Sequence, residues 1–242
     1  MESRFVRTEL LLGEAALAKL ANSHVAVFGI GGVGSYTVEA LARCGIGHFL
    51  LVDNDRVSIS NINRQLHALT ETVGQYKTNL MADRIKSINP EAVVDTIEDF
   101  YLPDNREKFF GSQYDYVVDA IDTVTAKIDL VVEAQKRNIP IISSMGAGNK
   151  LNPTELEVAD IYKTSVCPLA RVMRQKLKKL GIKKLKVVYS KEEPRRQKEI
   201  ANMPIPPQGK AAVPGSISFV PSVAGLIIAS EVVKDLCQAY ID

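Results

Sequence analysis

Between residues 24 and 145, short apolar runs alternate with stretches of helical spacing. HVAVFG, HFLLVD, EAVVDTIE, YDYVVDAID and PIISS are rich in β-branched residues and end at Gly, Asp, Glu or Ser, which predicts five strands. GSYTVEALARCG follows the first, KTNLMADRIKSI precedes the third, and TAKIDLVVEAQKRN links the fourth to the fifth, each with the spacing of a helix. Repeated strand–helix–strand crossovers demand parallel pairing. The expected fold class is therefore α/β, a mostly parallel sheet flanked by helices with a basic C-terminal insertion.

Outside that stretch the pattern changes. Residues 1–20 read as an N-terminal helical arm, and 21–150 as the core. After Met145, six prolines (Pro153, Pro168, Pro194, Pro204, Pro206 and Pro207) interrupt a polar stretch, so 151–212 is expected to be a basic, Pro-interrupted lobe. Residues 213–242 turn apolar again and read as a return strand and a buried helix, within one domain spanning 1–242. Pro221, Ser222, Ser230 and Glu231 argue against a membrane span there.

Composition adds two points. The net charge is only +2, but residues 171–198 hold twelve Lys/Arg and two acids, an even spread that suits the phosphates of a polyanion. The three cysteines, Cys44, Cys167 and Cys237, lie far apart and spell no disulfide framework or zinc ribbon. No cleavage site follows the first apolar residues, so a cytoplasmic location is expected.

The chemistry concentrates in VAVFGIGGVGSYTVEAL, where Gly29, Gly31 and Gly34 form G-x-G-x-x-G between a strand and a helix, with Gly32 as a further small position. Missing Cβ atoms let a phosphate approach the backbone, and the helix N-terminus offers free N–H groups, the feature of a Rossmann-like nucleotide site. Asp53 ends the second strand at a distance suited to ribose hydroxyls, and Asp55 follows as a turn or site residue. To that point NAD and ATP fit equally.

SISNINRQLHALTETVGQYKTNL separates them, placing Asn61, Arg64 and Gln65 in a polar loop and Lys77 at the start of a helix. A dehydrogenase has no evident need of these groups. A triphosphate attacked at its α-phosphorus needs fixed cations for the charge on its oxygens, and Arg64 and Lys77 supply them. Asp119 and Asp122 end the fourth strand at the edge where α/β sheets bind ligands, and Asp122 is placed to hold Mg2+ beside phosphate or to cap the next helix. Cys167 has no His near it in sequence and reads as a spectator, and His24, His48 and His67 lack ligand spacing.

GxGGxG, DxD, SNxNRQ, the GQxK lysine and DxxD together resemble the ubiquitin-activating-enzyme-like adenylating superfamily over residues 4–150. Within it, IGGVGSYTVEALARCGIG, SNINRQ with HAL, and KTNLMADRIKSINPE resemble the branch that acts on threonylcarbamoyladenosine in tRNA. The resemblance implies ATP held by the glycine loop and Asp53, phosphates met by Arg64 and Lys77, and Mg2+ placed with Asp122. It implies a phosphate loop shaped by Asn61 and Gln65, and a homodimer in which Arg7, or its neighbour Arg4, reaches the other subunit's ATP. The implied reaction is adenylation of the threonylcarbamoyl carboxylate followed by cyclising dehydration, with tRNA rather than DNA as partner and an accessory sulfur-transfer protein pair left open. Three rivals remain: activation of a sulfur-carrier protein through its C-terminal glycine, made less attractive by the missing C-x-x-C pairs; a nucleotide-sensing scaffold without catalysis; and an NAD oxidoreductase.

Overall fold

The structure, a computed structural model, describes residues 3–198 and 213–240. The five expected strands form as β1 (His24–Phe28), β2 (His48–Val52), β3 (Val93–Ile97), β4 (Tyr116–Asp119) and β5 (Ile141–Ser144). The expected helices are α3 (Gly34–Cys44), α4 (Lys77–Ile88) and α5 (Val124–Lys136). The N-terminal arm is two helices, α1 (Val6–Leu12) and α2 (Glu14–Ala21), broken where Gly13 turns with φ +83°.

The region after Met145 corrects the sequence reading. Residues 151–198 form no separate lobe, because β7 (Lys186–Ser190) pairs parallel with β5 and β6 (Leu156–Asp160) pairs antiparallel with β7. Between them α6 (Pro168–Lys179) packs on α5. The linear count of lysines conceals a helical stripe in which Ala170, Met173 and Leu177 are buried, while Pro168 occupies a first turn that has no use for its missing N–H. Pro204, Pro206 and Pro207 lie outside the described residues. Nor does a return strand form at 213–218; the apolar run instead becomes α7 (Phe219–Cys237), whose first turn tolerates Pro221 for the same reason. No described helix is long and apolar enough to cross a membrane.

The sheet runs β3-β2-β1-β4-β5-β7-β6, parallel except for β6. Its central strands are buried on both faces, which explains their unbroken apolar runs. On one face Ala224, Ile228 and Val232 of α7 pack with Val38 and Leu41 of α3. On the other, Ala126 and Leu130 of α5 meet an aromatic group of Phe28, Tyr101, Phe109 and Phe110. The strand order reverses between β1 and β4, so their carboxyl ends part and leave a crevice.

Beneath that crevice lies a fully buried ion pair. Lys127 Nζ of α5 sits 3.0 Å from the Asp119 carboxylate and donates to the Ile121 carbonyl at 3.0 Å. Ser143 Oγ and the Ile121 N–H donate to the same carboxylate. The pair ties the end of β4 to the turn that follows it. Lys127→Met should destabilise the protein by about 3–5 kcal/mol in urea unfolding, since it strands a buried carboxylate, and Asp119→Leu added to it should recover most of that loss.

Candidate active site

The crevice is a cavity of about 560 Å3 at the carboxyl ends of β1, β2 and β4. Its floor is the turn after β1. Gly29 adopts φ +87°, and a Cβ there would come within 2.6 Å of the Ala120 carbonyl oxygen. A Cβ at Gly34 would collide with the Gly29 carbonyl, so α3 can begin directly against the turn. No side chain caps α3; the Ser35 N–H donates to the Gly31 carbonyl at 3.0 Å, and the other N–H groups of the first turn are left for an anion at the favourable end of the helix dipole. Gly31 and Gly32 line the cavity beside them.

Asp53 closes the β2 side. Its carboxylate accepts from the Ile30 N–H at 2.6 Å and the Asp55 N–H at 2.8 Å, which aims it across the turn. Burial pushes its pKa up, opposed by the nearby Lys77 ammonium and the two N–H donors. Lys77, the first residue of α4, is itself buried, with Nζ 2.7 Å from Asp55 and 4.0 Å from Asp53. A lysine held between two carboxylates is fixed in direction, as a phosphate contact must be.

The loop after β2 turns back over the glycines. Asn61 is buried and accepts from the Ser58 N–H at 3.1 Å, which sets the loop. Arg64 is half-buried, with Nη1 donating to the Ser60 carbonyl at 2.8 Å and to Asn63 Oδ1 at 2.9 Å, and it lines the cavity. Gln65 also lines it, and its buried Oε1 has no hydrogen-bond partner among the described residues. Across from these, Asp122 is exposed at the rim; neither it nor Thr123 caps α5 with a side-chain hydrogen bond.

Two of the expected site residues lie elsewhere. Asp119 does not line the cavity, because its carboxylate points inward to Lys127, and the DxxD pattern contributes only Asp122. Arg7 is exposed on α1 and outside this chain's cavity; Arg4 donates to the Ile88 carbonyl at the end of α4 at 2.9 Å. Cys167 is buried at the start of α6, away from the cavity lining. The sequence reading missed Phe100, Ala147, Gly148 and residues 213, 214 and 216, all of which line the cavity. The G-A-G-N run after β5, a second glycine-rich turn at a strand end, was the available signal.

The basic segment also divides. Lys183, Lys184 and Lys186 sit at the amino end of β7, about 17 Å along a five-residue strand from the edge that carries the cavity. Lys186 is paired there with Asp235 at 2.7 Å and Glu231 at 3.1 Å. Arg171, on the first turn of α6, which packs against Gly146 beyond β5, and Arg195, Arg196 and Lys198 after β7 stand on the sheet edge that carries the cavity, outside its lining. Tyr189 is buried and offers no stacking surface.

His67 supports the floor, its Nε2–H donating to the Ile30 carbonyl at 2.8 Å. Burial pushes its pKa down to about 4; the Ile30 carbonyl opposes the shift and the Lys77 ammonium adds to it. The folded protein therefore keeps it neutral while the unfolded chain takes up a proton near pH 6.5. Stability held above that pH should be lost as pH falls from 6.5 toward 4, by roughly 3 kcal/mol from this group. His67→Gln should flatten the unfolding free energy over that window, and an unchanged slope would contradict the assignment.

Comparison with known proteins places these features. The ThiF family profile matches residues 3–241. A tRNA threonylcarbamoyladenosine dehydratase of Bacillus subtilis (strain 168) is 51% identical over 244 residues, covering 98% of this chain and 96% of that protein. Crystal structures of the Escherichia coli tRNA N6-threonylcarbamoyladenosine dehydratase, TcdA, in complex with AMP and with ATP superpose with TM-scores of 0.88 and 0.86, each 37% identical. Each superposition covers 98% of this chain and 94% of the other.

Proposed function

The chain belongs to the ThiF family, and from that premise we propose that it is an ATP-dependent enzyme that adenylates the carboxylate of threonylcarbamoyladenosine in tRNA and closes it to the cyclic, dehydrated form. The observation that carries the reading is the meeting, in one cavity, of an uncapped helix N-terminus, a buried directed lysine and a half-buried arginine. Similarity over nearly the whole length of a tRNA-modifying relative favours this substrate over a sulfur-carrier protein.

In the first step a carboxylate oxygen bonds to the α-phosphorus of ATP while the bond to the bridging oxygen breaks, and pyrophosphate leaves with that electron pair. In the second, the carbamoyl group of the same side chain attacks the activated carbonyl carbon, AMP leaves with one former carboxylate oxygen, and the carbamoyl group gives up one N–H proton to solvent, so the substrate acid loses the elements of one water. The attacking group is tethered to its electrophile, so the protein needs to supply placement and charge rather than acid–base groups. Asp53 takes the ribose hydroxyls, the α3 N–H groups and Arg64 the phosphates, Lys77 the charge that develops on the leaving oxygens, and Asn61 and Gln65 hold the loop and its ligand contacts.

The cavity lining carries four carboxylates, Asp53, Asp55, Asp99 and Asp122, against two cations, Arg64 and Lys77. A polyphosphate there calls for further positive charge. Asp122 suits Mg2+, which keeps several waters, takes one or two carboxylates and shares phosphate oxygens. When bound, Mg2+ draws charge off the departing pyrophosphate. Arg7 of the partner subunit in a homodimer is a second source, and the exposed Val6, Leu10 and Leu11 beside it on α1 give that subunit an apolar contact. Such an enzyme acts where tRNA is modified, in the cytoplasm, and an accessory sulfur-transfer pair is not required by this chemistry.

Arg64→Ala should slow tRNA-dependent pyrophosphate release a few hundredfold, about 3–4 kcal/mol of transition-state stabilisation. Unchanged release would remove Arg64 from the site. Mass spectra of tRNA nucleosides should show loss of one water from the threonylcarbamoyl adenosine, and an unaltered nucleoside would overturn the reading.

The tRNA is expected to lie along the cavity edge. Arg171, Arg196 and Lys198 are exposed there, with no carboxylate at ion-pair distance among the described residues. Replacing all three by Gln should lower the slope of log affinity against log salt by roughly 0.7–0.9 for each phosphate that is no longer neutralised. Replacing Lys183 and Lys184 should leave it nearly unchanged, and the opposite ranking would move the docking surface to the far edge.

A further inference from the structure

The loop after β5 does more than line the cavity. Asn149 sits at φ +58°, the left-handed conformation that asparagine tolerates better than most residues with a side chain. Its N–H donates to the Gly215 carbonyl at 2.7 Å, and its Oδ1 accepts from the Gly215 N–H at 2.7 Å, so one asparagine grips both polar groups of a single glycine. Its own carbonyl accepts from the Arg195 N–H at 2.8 Å. Gln197 Nε2 bridges Asn149 Oδ1 at 3.2 Å and the Val213 carbonyl at 2.7 Å.

The neighbours of Asn149 reinforce the grip. A Cβ at Gly148 would come within 2.6 Å of the Pro214 ring, so the two backbones are in close contact. Buried Lys150 donates to the Glu192 carbonyl, and Glu192 Oε2 accepts from the Leu151 and Asn152 N–H groups at 2.8 Å. From the other side, Asn63 Nδ2 donates to the Ser216 carbonyl at 2.9 Å. Residues 213–216 are thereby strapped across the cavity between the β5 loop and the loop that carries Arg64.

The strap stands at the phosphate end. It is tied to the residue preceding Arg64, and Pro221, just beyond it, packs against Gly32 with 3.2 Å left for a Cβ. A carboxylate bound for the α-phosphorus must arrive at the phosphate end, and the activated carbonyl formed there is open to water unless something covers it.

We infer that Asn149 is a positioning residue: through Gly215 it fixes residues 213–216 as the acceptor-side wall of the cavity, which orders the tRNA-borne carboxylate and shields the adenylate from hydrolysis. The inference rests on the functional reading above. Water reaching the adenylate would return the carboxylate and release AMP without ring closure, so a loosened wall shows as AMP in excess of cyclic product.

The test uses Asn149→Gly, which keeps the left-handed backbone but removes the acceptor, and Asn149→Asp, which keeps both. Asn149→Gly should lower tRNA turnover about tenfold, the worth of one good hydrogen bond. It should also raise the ratio of AMP to cyclic nucleoside while the ATP dissociation constant stays within about twofold; Asn149→Asp should restore both. Gly148→Ala, which displaces Pro214 without touching the Asn149 side chain, should reproduce the excess AMP and decides the question if Asn149→Gly does not fold. Wild-type turnover and ratio in the folded variants would overturn the inference, as would a loss of ATP affinity equal to the loss of turnover. If the wild-type protein forms no cyclic nucleoside, the functional reading itself fails and the inference falls with it.

Discussion

Between the turn after β1 and the turn after β4 there is room for backbone and nothing more. A Cβ at Gly29 would press into the Ala120 carbonyl, and one at Gly34 into the Gly29 carbonyl. Because those positions are glycines, α3 starts on the floor of the crevice and its uncapped N–H groups face the space where the strand order reverses. Every other part of the site is arranged around that approach. Asp53 is aimed by the Ile30 N–H of the same turn, His67 props it through the Ile30 carbonyl, and the Lys127–Asp119 pair holds the opposing turn from below.

The second constraint is charge. The cavity gathers more carboxylates than cations, an arrangement that favours ribose and metal over bare phosphate. Lys77 illustrates the compromise, since the carboxylates that orient it also occupy part of its charge. Under the proposed reading, a site of this composition takes its further cations with the nucleotide or from a neighbouring subunit, so that ATP binding, metal binding and assembly become parts of one electrostatic problem.

Much of this was legible in the sequence, because the informative features are local. The strands are continuous apolar runs, the glycine spacing is set by one turn, and Asp53, Arg64 and Lys77 lie within a few residues of strand or helix ends. What the sequence concealed depends on contacts between distant segments. Asp119 and Asp122 look alike in D-A-I-D, yet Asp119, the last residue of β4, turns inward to a lysine on the next helix, while Asp122, in the turn beyond the strand, stays at the rim. The basic segment reads as one surface until the direction of β7 sends its lysines to opposite edges of the sheet. Its lysines also mask the Ala170, Met173, Leu177 stripe that makes the region part of the sheet's core rather than a lobe. Asn149 and Gly215 are far apart in sequence, and no local pattern announces their reciprocal hydrogen bonds.

In the proposed reaction a carboxylate carried by tRNA attacks the α-phosphorus of ATP. Threonylcarbamoyl tRNA labelled with 18O in both carboxylate oxygens tests it directly, by mass spectrometry of the nucleotide released. Adenylation followed by ring closure should leave a single heavy oxygen in AMP and the other in the cyclic nucleoside. Unlabelled AMP, or label in inorganic phosphate alongside ADP, would contradict the account.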